Sequence, residues 1–176
     1  MDTNSAYLFH LLFRVFFKEI DPEFLSLLKK REIKEALAVL DLGLNGNENE
    51  LIEELSLEYA RLFILPGGIS PYESVHISAR LCGEPLSSVI SFNKRAGLKP
   101  TSEDILADHI ALELETVYQL KLKGLKELER QFLKERLFKW GNDFFNKVYE
   151  ASNTKFYKGM ALLGKELLEY EARKGI

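Results

Sequence analysis

Cysteine is nearly missing from these 176 residues: Cys82 stands alone. A single thiol cannot close an internal disulfide, which suits a reducing compartment and excludes a disulfide-stapled scaffold or a paired-cysteine metal site. Proline (5) and glycine (11) are sparse, so long structureless linkers are not expected. A surplus of one charge is lacking too. Lys and Arg number 24 against 27 Asp and Glu, a formal net charge of -3. Nucleic-acid binding needs a clustered basic excess, so no such partner is expected. No apolar run reaches the ~20 residues of a membrane span. The stretch from Ala6 to Phe17 is interrupted by Arg14 and ends at Lys18 and Glu19. Asp2 stands where an export signal would be basic, and no small-residue cleavage site follows. The cytoplasm is the expected location. A Gly-x-x-x-x-Gly-Lys phosphate loop and a His-Glu-x-x-His pair are both absent, so neither cofactor nor metal is expected.

Apolar residues, 46% of the chain, are plentiful and fall at helical spacing. Leu8, Leu11, Leu12, Val15 and Phe16 share one face, and Phe9, Phe13 and Phe17 widen it. Asp21-Pro22 reads as a cap followed by proline at the first helical position, opening a helix to about Leu42. Asn47 with Glu50 forms a capping box for a third helix that carries Leu51, Leu55, Leu62 and Phe63 and ends near Leu65. Pro66 to Pro71 breaks the chain, and Gly83-Glu84-Pro85 interrupts it again. Thr101 to Asp104 reads as a capping box for a helix running through Ile105, Ile110, Leu114 and Val117. A further helix holds Leu125, Leu128 and Phe132 and is expected to bend at Trp140-Gly141-Asn142. Thr154 caps the last one, where Phe156, Met160, Leu163, Leu167 and Tyr170 align. The pattern predicts an all-α, single-domain bundle of about six to eight helices over residues 1–176.

Two constellations could carry chemistry. In P-G-G-I-S-P-Y-E-S-V-H, from Pro66 to His76, two prolines and two glycines fix an unusual backbone path. It is either a tight helix connection with Tyr72 docked on the core or the rigid lip of a groove. The second is Asp108-His109, read on a helix with Asp104 one turn before and Glu113 one turn after. Such carboxylates could pair a guanidinium; equally, they could be a solvated acidic stripe. Cys82 is expected to be an inert, partly buried thiol.

Several segments, in order, resemble the TorD/DmsD/NarJ family of molybdoenzyme maturation chaperones. They are Leu55 to Phe63 (L-x-x-E-Y-A-R-L-F), Pro66-Gly67, Pro71 to Val75, and Asp108-His109 followed by Glu113-Leu114-Glu115. Phe132-Leu133 with Trp140 and Phe144, and then Phe156-Tyr157, complete the set. Leu106 and Ala107 depart from the Glu and Pro usual before the Asp-His pair, and Arg136 replaces a common His. The resemblance implies a non-enzymatic cytoplasmic chaperone, TorD-like in fold, with no cofactor of its own. Its implied partner is the twin-arginine leader, or N-terminal region, of a molybdopterin-containing oxidoreductase subunit, held during cofactor insertion. The implied peptide-binding residues are Tyr59, Leu62, Phe63, Pro71, Tyr72 and Ser74, with Asp108 and His109 near the mouth. Glu73 and Asp104 are added on charge. Three alternatives stay open: a NarJ-like chaperone for a non-exported subunit, a small enzyme or nucleotide-dependent factor using Asp108 and His109, and a partner module. Monomer and homodimer are both compatible.

Overall fold

The computed structural model describes residues 3–174. Among them there is no β-strand; the molecule is built from helices joined mostly by short turns. The first, α1 (Thr3–Phe17), buries Phe9, Leu12, Phe13, Val15 and Phe16. Its inward stripe is therefore centred near Phe9 and Leu12, with Leu8, Leu11 and Phe17 at the edges. Asp21 caps α2 (Pro22–Leu28) by accepting the Phe24 N–H at 2.8 Å, with proline in the first turn. The expected long helix to Leu42 does not form. Three pieces replace it: α2, α3 (Arg31–Ala36) and a 3₁₀ turn (Ala38–Leu40). The physical reason is that α3 buries no residue, so nothing holds the segment to one continuous axis.

Asn47 caps α4 (Glu48–Tyr59) through the Asn49 and Glu50 amides. A π-helical turn, Ala60–Ile64, then ends the rod just before Pro66. The chain folds back at once, the Ile69 N–H donating to the Leu62 carbonyl at 2.6 Å. Gly68 is required there, because a Cβ would sit 2.7 Å from that same oxygen. Next come α5 (Glu73–Ser78) and α6 (Glu84–Ala96).

The helix expected from Thr101 is absent; α7 (Ile110–Leu122) begins nine residues later. Thr101 cannot cap because its amide and hydroxyl both donate to Glu115 on α7. His109 caps instead, its Nδ1 accepting the Ala111 N–H at 3.1 Å. Every residue from Ile110 to Val117 is buried, so α7 runs through the middle of the molecule, packed on α1. Gly124 turns the chain into α8 (Lys126–Phe132), which passes through a second π-helical turn (Leu133–Leu137) into α9 (Phe138–Ala151). The expected bend at Trp140-Gly141-Asn142 is corrected: helix continues there, and the irregularity lies one turn earlier. Gly141 serves packing, since a Cβ would meet Leu168 at 2.8 Å. Thr154 caps α10 (Lys155–Arg173), which lies along α9. The core is aromatic, with Phe9, Phe16, Phe132, Phe144, Phe145, Phe156, Trp140 and Tyr157 all buried. The Lys121 side chain is enclosed between Glu129 (2.6 Å) and Glu171 (2.9 Å), tying α7, α8 and α10 together.

Candidate functional site

The two segments singled out in the sequence meet. Pro71 to Ser74 lies antiparallel to Asp108 to Ile110 in a short clasp. The Ile110 N–H donates to the Pro71 carbonyl at 2.7 Å and the Glu73 N–H to the Asp108 carbonyl at 2.9 Å. Between them Tyr72 and His109 meet edge to face, ring centroids 5.1 Å apart. The Asp108 carboxylate then caps α5 from across the chain, its Oδ2 accepting the Ser74 N–H at 3.0 Å and the Ser74 hydroxyl. The sequence explains this arrangement. Tyr72, just before α5, makes no side-chain cap, so the first turn takes its acceptor from the neighbouring segment.

Below the clasp lies a buried acidic cluster. Glu73, Asp108 and Glu113 are each at most 1% exposed. Arg136, on the second π-helical turn, pairs Glu73 at 3.3 Å and also reaches the Ser88 hydroxyl. The Trp140 indole donates to Glu113 Oε2 at 3.2 Å. Burial pushes the Glu113 carboxyl well above the usual carboxylate range, and the Glu73 charge pushes it further. Glu73 is raised as well, again mainly by burial, with Arg136 opposing. Burial lowers His109 to about 4, so its ring is neutral at pH 7. The Tyr72 hydroxyl is raised by desolvation and by Asp108. His76 ties α5 to its surroundings through Ser70 (2.8 Å) and Asp143 (3.3 Å), its ring 5.1 Å from Trp140.

The expected residues divide by depth. Tyr59 and Leu62 are core residues, the Tyr59 hydroxyl donating to the Phe16 carbonyl at 3.3 Å. Phe63 is half-buried among Phe16, Tyr59, Phe144 and Tyr157. Pro71 and Tyr72 are half-buried; Glu73, Ser74, Asp108 and His109 are buried; Asp104 is exposed. Two expectations are corrected here. Asp108 and His109 precede the helix rather than lie on it, and they form one arm of the clasp with their side chains buried. The reason is that their polar atoms serve the starts of α5 and α7. Cys82, expected to be partly buried, is exposed in a left-handed turn at φ 60. Arg136, Trp140 and His76 surround the cluster, though none of them was expected as a site residue. The one available signal was Arg136 in place of a His. A cavity of about 430 Å³ lies apart, between α2, α3 and the Asp41 to Gly46 loop, and contains none of these residues.

The arrangement does not support acid–base catalysis through Asp108 and His109. The Asp108 Oδ2 is taken by Ser74 and the His109 Nδ1 by a backbone amide, so neither orients the other as a triad requires.

Residues 27–146 match the family described as nitrate reductase delta subunit. The chaperone protein TorD of Shewanella pealeana is 28% identical over 93% of this chain and 86% of its own length. That of Histophilus somni is 30% identical over 61% of this chain and 58% of its own. In fold, the chain is similar to a crystal structure described as a candidate redox enzyme maturation protein from Archaeoglobus fulgidus. The TM-score is 0.64 at 24% identity, covering 94% of this chain and 93% of that one. With more than half its length inside the family's model and TorD chaperones among its relatives, the chain belongs to the nitrate reductase delta subunit family.

Proposed function

We propose that the protein binds the leader or N-terminal region of a molybdopterin-containing oxidoreductase subunit and holds it while the cofactor is inserted. The observation that carries this reading is the clasp. Its outer side presents half-buried Pro71 and Tyr72, with Phe63 half-buried and Ile64 and Leu65 more than half exposed just before the loop. A leader offers arginines followed by an apolar helix-forming segment, and such a segment docks through apolar anchors. In this reading Phe63, Pro71 and Tyr72 touch the peptide, and exposed Asp104 is available to a guanidinium. Tyr59, Leu62, Glu73, Ser74, Asp108 and His109 act from beneath by fixing the clasp. Asp108 thereby becomes a positioning residue for α5.

Calorimetry with a twin-arginine leader peptide is expected to give micromolar binding, about -8 kcal/mol. Tyr72→Ala should weaken it by roughly tenfold or more, as loss of an aromatic anchor does. Lys34→Ala on α3 should leave it unchanged. A folded protein that gives no heat with the peptide would show the reading wrong. The match to the nitrate reductase delta subunit family favours a second reading, a client whose N-terminal segment has no arginine pair. A leader with both arginines changed to lysine separates the two: full affinity would favour the second.

A further inference from the structure

We propose that one proton, shared by the Glu73 and Glu113 carboxyls, latches α5 to the body of the protein. Its loss releases α5 and uncovers the apolar surface at Trp140 and Phe144. The geometry favours such a proton. Arg136 occupies Glu73 Oε1 and the indole occupies Glu113 Oε2. The other two oxygens, Glu73 Oε2 and Glu113 Oε1, are buried without a hydrogen-bond partner, as is Asp108 Oδ1. The two carboxyls are near enough for each to shift the other's titration. Ionised carboxylates only accept, so these two oxygens can satisfy each other only when one of the pair is an acid.

The surrounding charges agree. Three carboxyls meet here: Glu73 from α5, Glu113 from α7 and Asp108 from the segment before it. One cation, Arg136, faces them, with the Glu84 carboxylate of α6 4.0 Å from its guanidinium. From α9 come the neutral Trp140 indole and Asp143, which holds His76 rather than the cluster. Taking the proton away would leave two buried anions in contact, which a site closed to water does not tolerate.

The element this proton holds is built to move. With six residues, α5 is too short to persist as a helix by itself. Left-handed residues flank it, Gly67 at φ 87 on one side and Ala79 and Cys82 on the other. His76 on α5 lies 5.1 Å from Trp140 and 6.1 Å from Phe144, whose side chains are otherwise closed to solvent. The use of that surface for a client rests on the function proposed above; the latch itself does not.

The sign follows from linkage. Closed protein keeps a proton that open protein gives up, so opening rises with pH, by up to about tenfold per unit between the ordinary carboxyl titration of the open form and the raised one of the closed pair. Trp140 is the chain's one tryptophan and touches Glu113 directly, so it reports the event. Emission of the full-length protein should shift to the red between pH 5 and 9, with amides 73–78 exchanging faster than base catalysis alone explains. Glu113→Gln keeps an acceptor for the indole and gives Glu73 a permanent donor; it should flatten both profiles. Infrared spectra at neutral pH should show a protonated carboxyl in the wild type and lose it in Glu113→Gln. That wild-type band needs no variant, so its absence overturns the latch even if Glu113→Gln does not fold. A flat wild-type profile, or one that Glu113→Gln leaves unchanged, overturns it too. Leader calorimetry fails or succeeds independently of these readouts.

Discussion

His109 works as a helix cap only while its Nδ1 is bare, because that nitrogen accepts the Ala111 amide. Burial keeps it so, holding the ring near 4 against an ordinary value of 6.5. The unfolded chain therefore takes up a proton, as pH falls through 6.5, that the folded chain refuses until about 4. Stability should drop across that window by on the order of 3 kcal/mol, at 1.36 kcal/mol per unit of difference. Urea titrations at pH 7 and pH 4.5 should show the loss, and His109→Asn, which caps without titrating, should remove most of it. Glu113 carries the opposite sign, since a raised carboxyl favours folding at low pH. Little of this was legible in the sequence. Asp108 and His109 stood out as a pair, yet whether a polar side chain meets a partner or a backbone amide depends on where the chain ends its turns. Arg136 reaches Glu73 across 63 residues and Trp140 reaches Glu113 across 27, and no local spacing could place them.

At the scale of elements, caps were legible where the capping residue had no rival. Asp21, Asn47 and Thr154 each accept from amides of the turn they open. Thr101 had a rival in Glu115, and the helix foreseen there gave way to an irregular segment. The same limit hid the break after α2, because propensity cannot report that α3 would bury no residue and rest on the core only through half-buried Ile33. Close packing between elements was equally invisible. On α10, Gly164 faces the Phe145 ring so tightly that a Cβ would come within 2.5 Å of it. The ring belongs to α9 and is fully enclosed, so it has no room to step aside. Gly164→Ala is expected to cost about 1–3 kcal/mol in denaturant unfolding, despite alanine's better helix propensity.

Across the whole molecule, periodicity was enough to name the class, since each long helix had to bury one stripe and no strand pattern competed. Stability should be graded accordingly. Central α7, buried along eight successive residues, and the α9 and α10 pair should set the slowest amide exchange. The α3 helix and the 3₁₀ turn after it have no buried residue and should exchange fastest among the helical segments. Uniform protection across α3 and α7 in a hydrogen-exchange map would contradict this ordering. One feature of the surface has a practical side. The lone thiol, Cys82, stands exposed on the turn that joins α5 to α6. A maleimide dye coupled there needs no engineered cysteine and no removal of competing ones. Paired with the lone indole of Trp140 as energy donor, it makes the native chain a two-colour ruler for the distance between that turn and α9.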